Sequence, residues 1–119
     1  QACLTCTRAV REMAGYEVLG ANGLEEAYAQ LRENSVSAIL LDVKLQGASG
    51  LETLYNLKRA PATAAMPVIM VSAQADDATR AHSLKLGAAS YVVKPFTPAK
   101  LTRELHNAIA DSAAASIGT

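Results

Sequence analysis

The chain has 119 residues, half of them hydrophobic and 18% charged, which suits one soluble globular domain with a core of its own. Eleven Lys and Arg balance eleven Asp and Glu, so no net field argues for DNA, RNA or an anionic membrane as direct partner. No apolar run approaches the roughly 20 residues of a bilayer span, no signal peptide opens the sequence, and the two cysteines form no disulfide framework; the cytoplasm is the expected compartment.

In chain order, Leu4 to Met13 reads as a helix closed by Gly15, and Glu17-Val18-Leu19 as a short strand. Leu24, Ala27, Tyr28 and Leu31 recur at i, i+3, i+4 and i+7, one face of a helix. Ser37 to Val43 is a nearly continuous apolar run that contains one carboxylate, Asp42. Leu51, Leu54, Tyr55 and Leu57 form a second helical stripe after Gly50. Pro67 to Ser72 is another apolar run, opened by proline and ended by a hydroxyl. Continuous runs of this length suit strands of a parallel sheet buried on both faces. Asp76 and Asp77 place negative charge at the start of a helix over Thr79 to Leu86, and Gly87 ends it. Ser90 to Val93 reads as a strand. Pro98 opens a last helix carrying Leu101, Leu105, Ala108 and Ile109, with residues 111–119 as its end or the start of a linker.

Regular alternation of helix and strand argues for one α/β domain over residues 1–119, an open parallel sheet with helices on both faces. In such sheets ligands bind outside the carboxyl ends of the strands. That rule collects Asp42, Ser72 and Lys94 at one edge. A carboxylate can act as nucleophile and form an acyl phosphate. An ammonium can neutralise phosphoryl oxygens, and a hydroxyl can hydrogen-bond one of them. Taken singly, each residue has a plainer reading: Asp42 a helix cap, Ser72 a turn residue, Lys94 a surface lysine, Tyr91 a core aromatic.

The segments Leu40-Leu41-Asp42-Val43, Pro67 to Ala73 and Gly87 to Phe96 together resemble bacterial response-regulator receiver domains, of the chemotaxis-regulator-like fold. The spacings agree, with 72 − 42 = 30 and 94 − 72 = 22 residues, and Gly50 falls 8 residues past Asp42. The similarity runs from about Ala9 to Ile109. It implies a flavodoxin-like doubly wound sheet in the order 2-1-3-4-5. Asp42 would accept a phosphoryl group from a histidine kinase or phosphotransfer protein. Ser72 would be the switch hydroxyl, Tyr91 the aromatic switch and Lys94 the phosphoryl-binding ammonium, with a cis Lys94-Pro95 bond. Asp42 and the backbone carbonyl of Lys44 would be Mg²⁺ ligands. The output surface, for an output domain or a second copy of the chain, would be about Asp76 to Ala110. The implied protein is a phosphorylated signalling domain of two-component phosphorelays and not a conventional enzyme; the alternative is a pseudo-receiver that binds partners without phosphorylation.

The sequence also departs from the family. Receiver domains begin with a central strand ending in two acidic residues that hold the metal. Counting back from Gly15 and Tyr16 places both before Gln1, so the chain is expected to lack strand one and the remaining acidic ligands. Gln46 and Ser49 stand where the family usually has Pro and Asp. Lys44 could project a positive charge over the site. Cys3 and Cys6 make a C-x-x-C motif, but redox sites of that kind follow a strand directly. With none expected before Cys3, the pair reads as small core-facing helix residues. His82 and His106 have no metal-ligating neighbours in sequence and read as structural.

Overall fold

Why the long apolar runs become strands is seen in where their side chains go. In the computed structural model, which describes residues 2–6, 12–13, 15–45, 48–73 and 76–117, Ala38–Asp42 forms β3 and Val68–Ser72 forms β6. Ile39 and Leu41 enter one core, and Ala38 and Leu40 the other. Both faces of the pleat are therefore covered, which removes the polar alternation of a half-exposed strand.

The remaining elements follow in order. They are β1 (Ala2–Cys6), β2 (Glu17–Gly20), α1 (Leu24–Glu33), β4 (Lys44–Leu45), β5 (Ala48–Ser49), α2 (Gly50–Arg59), α3 (Asp77–Lys85), β7 (Ser90–Val93) and α4 (Pro98–Ile117). Five strands form one parallel sheet in the order β2-β1-β3-β6-β7, and β4 and β5 make a separate antiparallel ribbon. Setting the ribbon aside, this is the 2-1-3-4-5 order implied by the resemblance. Ala27 of α1 and Leu54 and Leu57 of α2 fill one core with Leu4, Ile39, Leu41 and Met70. Leu101, Leu105 and Ala108 of α4 fill the other with Cys3, Leu40, Ile69 and Val92.

The central strand corrects the sequence reading. Ala2–Cys6, read as the start of a helix, is β1, and it occupies the place expected to be empty. It pairs on one side with β2 (Ala2 opposite Glu17) and on the other with β3 (Cys3 opposite Ala38). Ser37 N donates to Ala2 O at 2.8 Å, and Ala21 N to Thr5 O at 3.0 Å. An empty slot would orphan the inner-edge N–H and C=O groups of β2 and β3 inside the protein, a cost larger than any local helix preference of five residues. The rest of the expected first helix falls largely outside the described residues. Strand geometry also sends Cys3 and Cys6 to opposite faces and into different cores. They are free and buried, so the C-x-x-C pair is structural, though on a strand and not a helix.

Local chemistry sets the other boundaries. The Asp76 carboxylate accepts a hydrogen bond from Thr79 N at the start of α3. Gly87 ends that turn at φ +108°, where a Cβ would be strained. Against Gly87 lies the stem of Lys58, whose ammonium donates to the carbonyls of Met66 (2.7 Å) and Ala64 (3.2 Å). Burial pushes the Lys58 pKa down. The last helix runs on to Ile117, since its alanines keep helix propensity after the apolar stripe ends. Ser112 Oγ donates to Ala65 O and ties it to the loop before β6. No helix among the described residues is long and apolar enough to cross a membrane.

Candidate functional site

Parallel register carries three chemically distinct side chains to one sheet edge. Asp42 ends β3 opposite Val71, and Ser72 ends β6 opposite Val93, the last residue of β7. Lys94 follows directly, and its N–H donates to Ser72 O at 2.7 Å. Its side chain turns back over the edge, so that Nζ lies 2.7 Å from Asp42 Oδ2 across 52 residues of sequence. The pair is only partly exposed, at 29% for Lys94 and 17% for Asp42, which shortens the reach of solvent screening. Ser72 is only 2% exposed and Tyr91 5%. The Lys94-Pro95 bond is cis.

Around Asp42 the chain is tightly constrained. Lys44 N donates to Asp42 Oδ1 at 3.0 Å, holding the second carboxylate oxygen. The Lys44 side chain is exposed. The β4–β5 ribbon then returns the chain so that Gly50 N donates to Val43 O at 2.8 Å. A Cβ at Gly50 would sit 1.9 Å from Asp42 O and 2.7 Å from Val43 Cα. The glycine is therefore needed for close backbone approach, and the helix it opens packs directly behind the carboxylate.

Among the described residues the donors for a divalent cation are incomplete. β1 ends at this edge in Thr5 and Cys6, both buried and neither a carboxylate. Burial and the nearby Glu26 carboxylate push the Cys6 thiol up to about 11, and a soft sulfur is in any case a poor donor for a hard cation such as Mg²⁺. Among the described residues no three His, Cys, Asp or Glu side chains group to hold a metal. Mg²⁺ asks for near-octahedral oxygen coordination, and Asp42 with one carbonyl does not fit it. β1 is thus present where the sequence reading expected no strand, and residues 7–11 directly after it lie outside the described residues.

His82 and His106 lie exposed on α3 and α4. Two features had no local sequence signal: the Lys44 backbone contact to Asp42, and Arg80, whose guanidinium lies 5.5 Å from the Tyr91 ring centroid. A cavity of about 560 Å³ beside them, between α3, β7 and α4, is lined by Arg80, Leu84, Tyr91, Phe96, Lys100 and Glu104 among others. It falls within the surface expected from sequence to meet partners.

Comparison with known proteins gives the same picture. Residues 1–106 match the family model described as the response regulator receiver domain. The chain is 39% identical over 94 residues to the phosphate regulon transcriptional regulatory protein PhoB of Pseudomonas aeruginosa, covering 79% of this chain and 41% of that protein. It is 37% identical over 94 residues to the transcriptional regulatory protein CpxR of Klebsiella pneumoniae, covering 79% and 39%. The chain thus spans about two-fifths of these relatives' lengths. Among solved structures, a putative response regulator from Chloroflexus aurantiacus superposes with TM-score 0.78 at 28% identity, covering 92% of this chain and 97% of that one. A CheY-like receiver domain protein from Methanospirillum hungatei superposes with TM-score 0.77 at 26% identity, covering 94% and 95%.

Proposed function

The chain belongs to the response-regulator receiver domains of two-component signal transduction, and from that premise we propose that Asp42 is its phosphoacceptor, served by Lys94, Ser72 and Tyr91. The observation that carries this reading is the Lys94 Nζ–Asp42 Oδ2 contact of 2.7 Å at the carboxyl edge of the sheet.

Receiver domains interact with histidine kinases, and the donor proposed here is a phosphohistidine on such a kinase or on a phosphotransfer protein. An Asp42 oxygen attacks phosphorus, the O–P bond forms, and the P–N bond to imidazole breaks. The imidazole leaves with the bonding electron pair and takes up a proton. Lys94 faces the charge gathered on the phosphoryl oxygens, as preorganised cations do in phosphoryl transfer. Ser72, next along the edge, has a hydroxyl to offer one of those oxygens. The acyl phosphate is later hydrolysed, returning the carboxylate. No step is assigned to Mg²⁺, whose ligand set the described residues do not complete.

Phosphorylation adds roughly −1.5 to −2 charges beside Lys94. It alters the domain's output only to the extent that two conformations hold that charge unequally. The proposed readout is the face from about Asp76 to Ala110, binding an output domain or a second copy. Cytoplasmic location goes with this reading.

The test is phosphorylation of the intact chain by acetyl phosphate and by a phosphorylated histidine phosphotransfer protein, followed by intact-mass spectrometry. One phosphoryl increment, labile to hydroxylamine and lost in Asp42→Asn, is expected. A chain that takes no phosphoryl group from either donor, or takes it equally in Asp42→Asn, defeats the proposal.

A further inference from the structure

Tyr91 is held from both sides. Its ring is 5% exposed and packs in the core shared by Ile39, Leu41 and Met70. On β7 it sits opposite Met70, two residues before Ser72 on the neighbouring strand. Its outer neighbour is Arg80 of α3, with the guanidinium carbon 5.5 Å from the ring centroid, within cation–π range. Arg80 is fixed in turn at its backbone, where its N–H donates to Asp76 O at the capped start of α3.

The charge of Arg80 is not diverted to a carboxylate. Among the described residues the ion pairs are Lys94–Asp42 and Lys100–Glu104, and Glu104 also accepts from Ser90 Oγ at 2.8 Å. Both Arg80 and Tyr91 line the cavity between α3, β7 and α4, so the ring has space to swing outward. The 5.5 Å contact is made to the ring in its buried place, and an outward swing changes that geometry. Arg80 therefore interacts with the two rotamers of Tyr91 unequally, which is the condition for shifting a population.

We propose that Arg80 is a positioning residue that clamps Tyr91 in its buried rotamer, and thereby sets how far the α3–β7–α4 face is already switched before phosphorylation. The inference rests on the reading of Tyr91 as the aromatic switch. By linkage, what favours the buried ring without phosphate also favours the phosphorylated state to the same degree, if phosphorylation draws the ring inward.

The experiment uses the whole chain with meta-fluorotyrosine at its four tyrosines, the Tyr91 fluorine signal being assigned through Tyr91→Phe. Arg80→Met keeps an aliphatic stem without the charge, and Arg80→Lys restores a cation. In Arg80→Met the Tyr91 signal should move toward its solvent-exposed position, the buried-to-outward ratio falling about two- to five-fold, the range of an exposed cation–π contact. Arg80→Lys should recover part of that shift, while Tyr16, Tyr28 and Tyr55 stay in place. An unmoved Tyr91 signal in Arg80→Met overturns the proposal, as does an Arg80→Lys chain identical to Arg80→Met. Labelling of Asp42 is scored separately on the unsubstituted chain, so its failure defeats the assigned phosphoacceptor while the fluorine signal still decides the role of Arg80.

Discussion

Gly50→Ala removes the close approach that seats α2 behind Asp42. The added Cβ would lie 1.9 Å from Asp42 O, where contacts below 3.0 Å essentially do not occur. The backbone must therefore open by about 1.1 Å, the difference of those two distances. It cannot do so locally, because Gly50 N is bonded to Val43 O at 2.8 Å and Thr53 Oγ1 to Ser49 O at 3.1 Å. Losing the first bond costs about 0.5–1.5 kcal/mol, and the overpacking strain adds about 1–3 kcal/mol. Against this stands a helix-propensity gain of at most about 1 kcal/mol. The expected net loss is about 0.5–3.5 kcal/mol. Urea unfolding of both chains measures it as a lower midpoint at unchanged slope. The phosphorylation rate of Asp42 should fall as well, since the same displacement moves the Asp42 carbonyl. An unchanged midpoint would refute the steric argument, because no neighbouring side chain is available to give way.

Three further outcomes are expected. Ser83 is fully buried on α3, and its Oγ has no hydrogen-bond partner among the described residues. Ser83→Ala should leave stability unchanged or raise it by up to about 1 kcal/mol, and a clear loss in urea midpoint would show an overlooked partner. The hydrogen bond from Thr79 holds the Asp76 carboxyl below its ordinary range, so its contribution is present above the unfolded value and lost as pH falls through the folded one. Asp76→Ala should thus be less stable than the parent near neutral pH, with the gap closing in acid; a gap independent of pH would contradict the capping account. Finally, Mg²⁺ at a concentration that saturates complete receiver sites should raise stability by less than about 0.4 kcal/mol, the linkage reached when ligand equals its Kd. Calorimetric scans with Mg²⁺ or EDTA measure this, and a larger shift would mean that residues beyond Asp42 complete the shell.

Much of the site was legible because the sheet translates sequence into place simply. A strand buried on both faces writes itself as an apolar run, and the residue at its carboxyl end falls at the edge where ligands bind. That rule collects Asp42, Ser72 and Lys94, and the structure sets them at one edge. The first strand is not legible in this way, because only Thr5 of Ala2–Cys6 has a clear strand preference and five residues match either period. What makes them a strand is the pairing offered by Glu17–Gly20 and Ala38–Leu41, a tertiary fact. The clamp of Arg80 on Tyr91 joins residues from separate elements, and no local pattern of either one announces it. Nor does helical periodicity foretell where α4 ends, since alanine continues a helix without needing a buried face.

The place of β1 has a consequence for how the chain assembles. All neighbours in the main sheet are parallel, so none can zip from a tight turn. Cys3 meets Ala38 at a separation of 35 residues, Ile39 meets Val68 at 29, and Ile69 meets Ser90 at 21. During synthesis, Ala2–Cys6 is made before its partners and finds β2 within 15 residues, from Ala2 to Glu17. Its other edge must wait until β3 has been made and the intervening loop closed. A strand made before both of its partners thus becomes the middle of the sheet only after they arrive, and the order of synthesis opposes the order in space. Topology of this kind sets a folding time longer than that of a helical bundle of equal size.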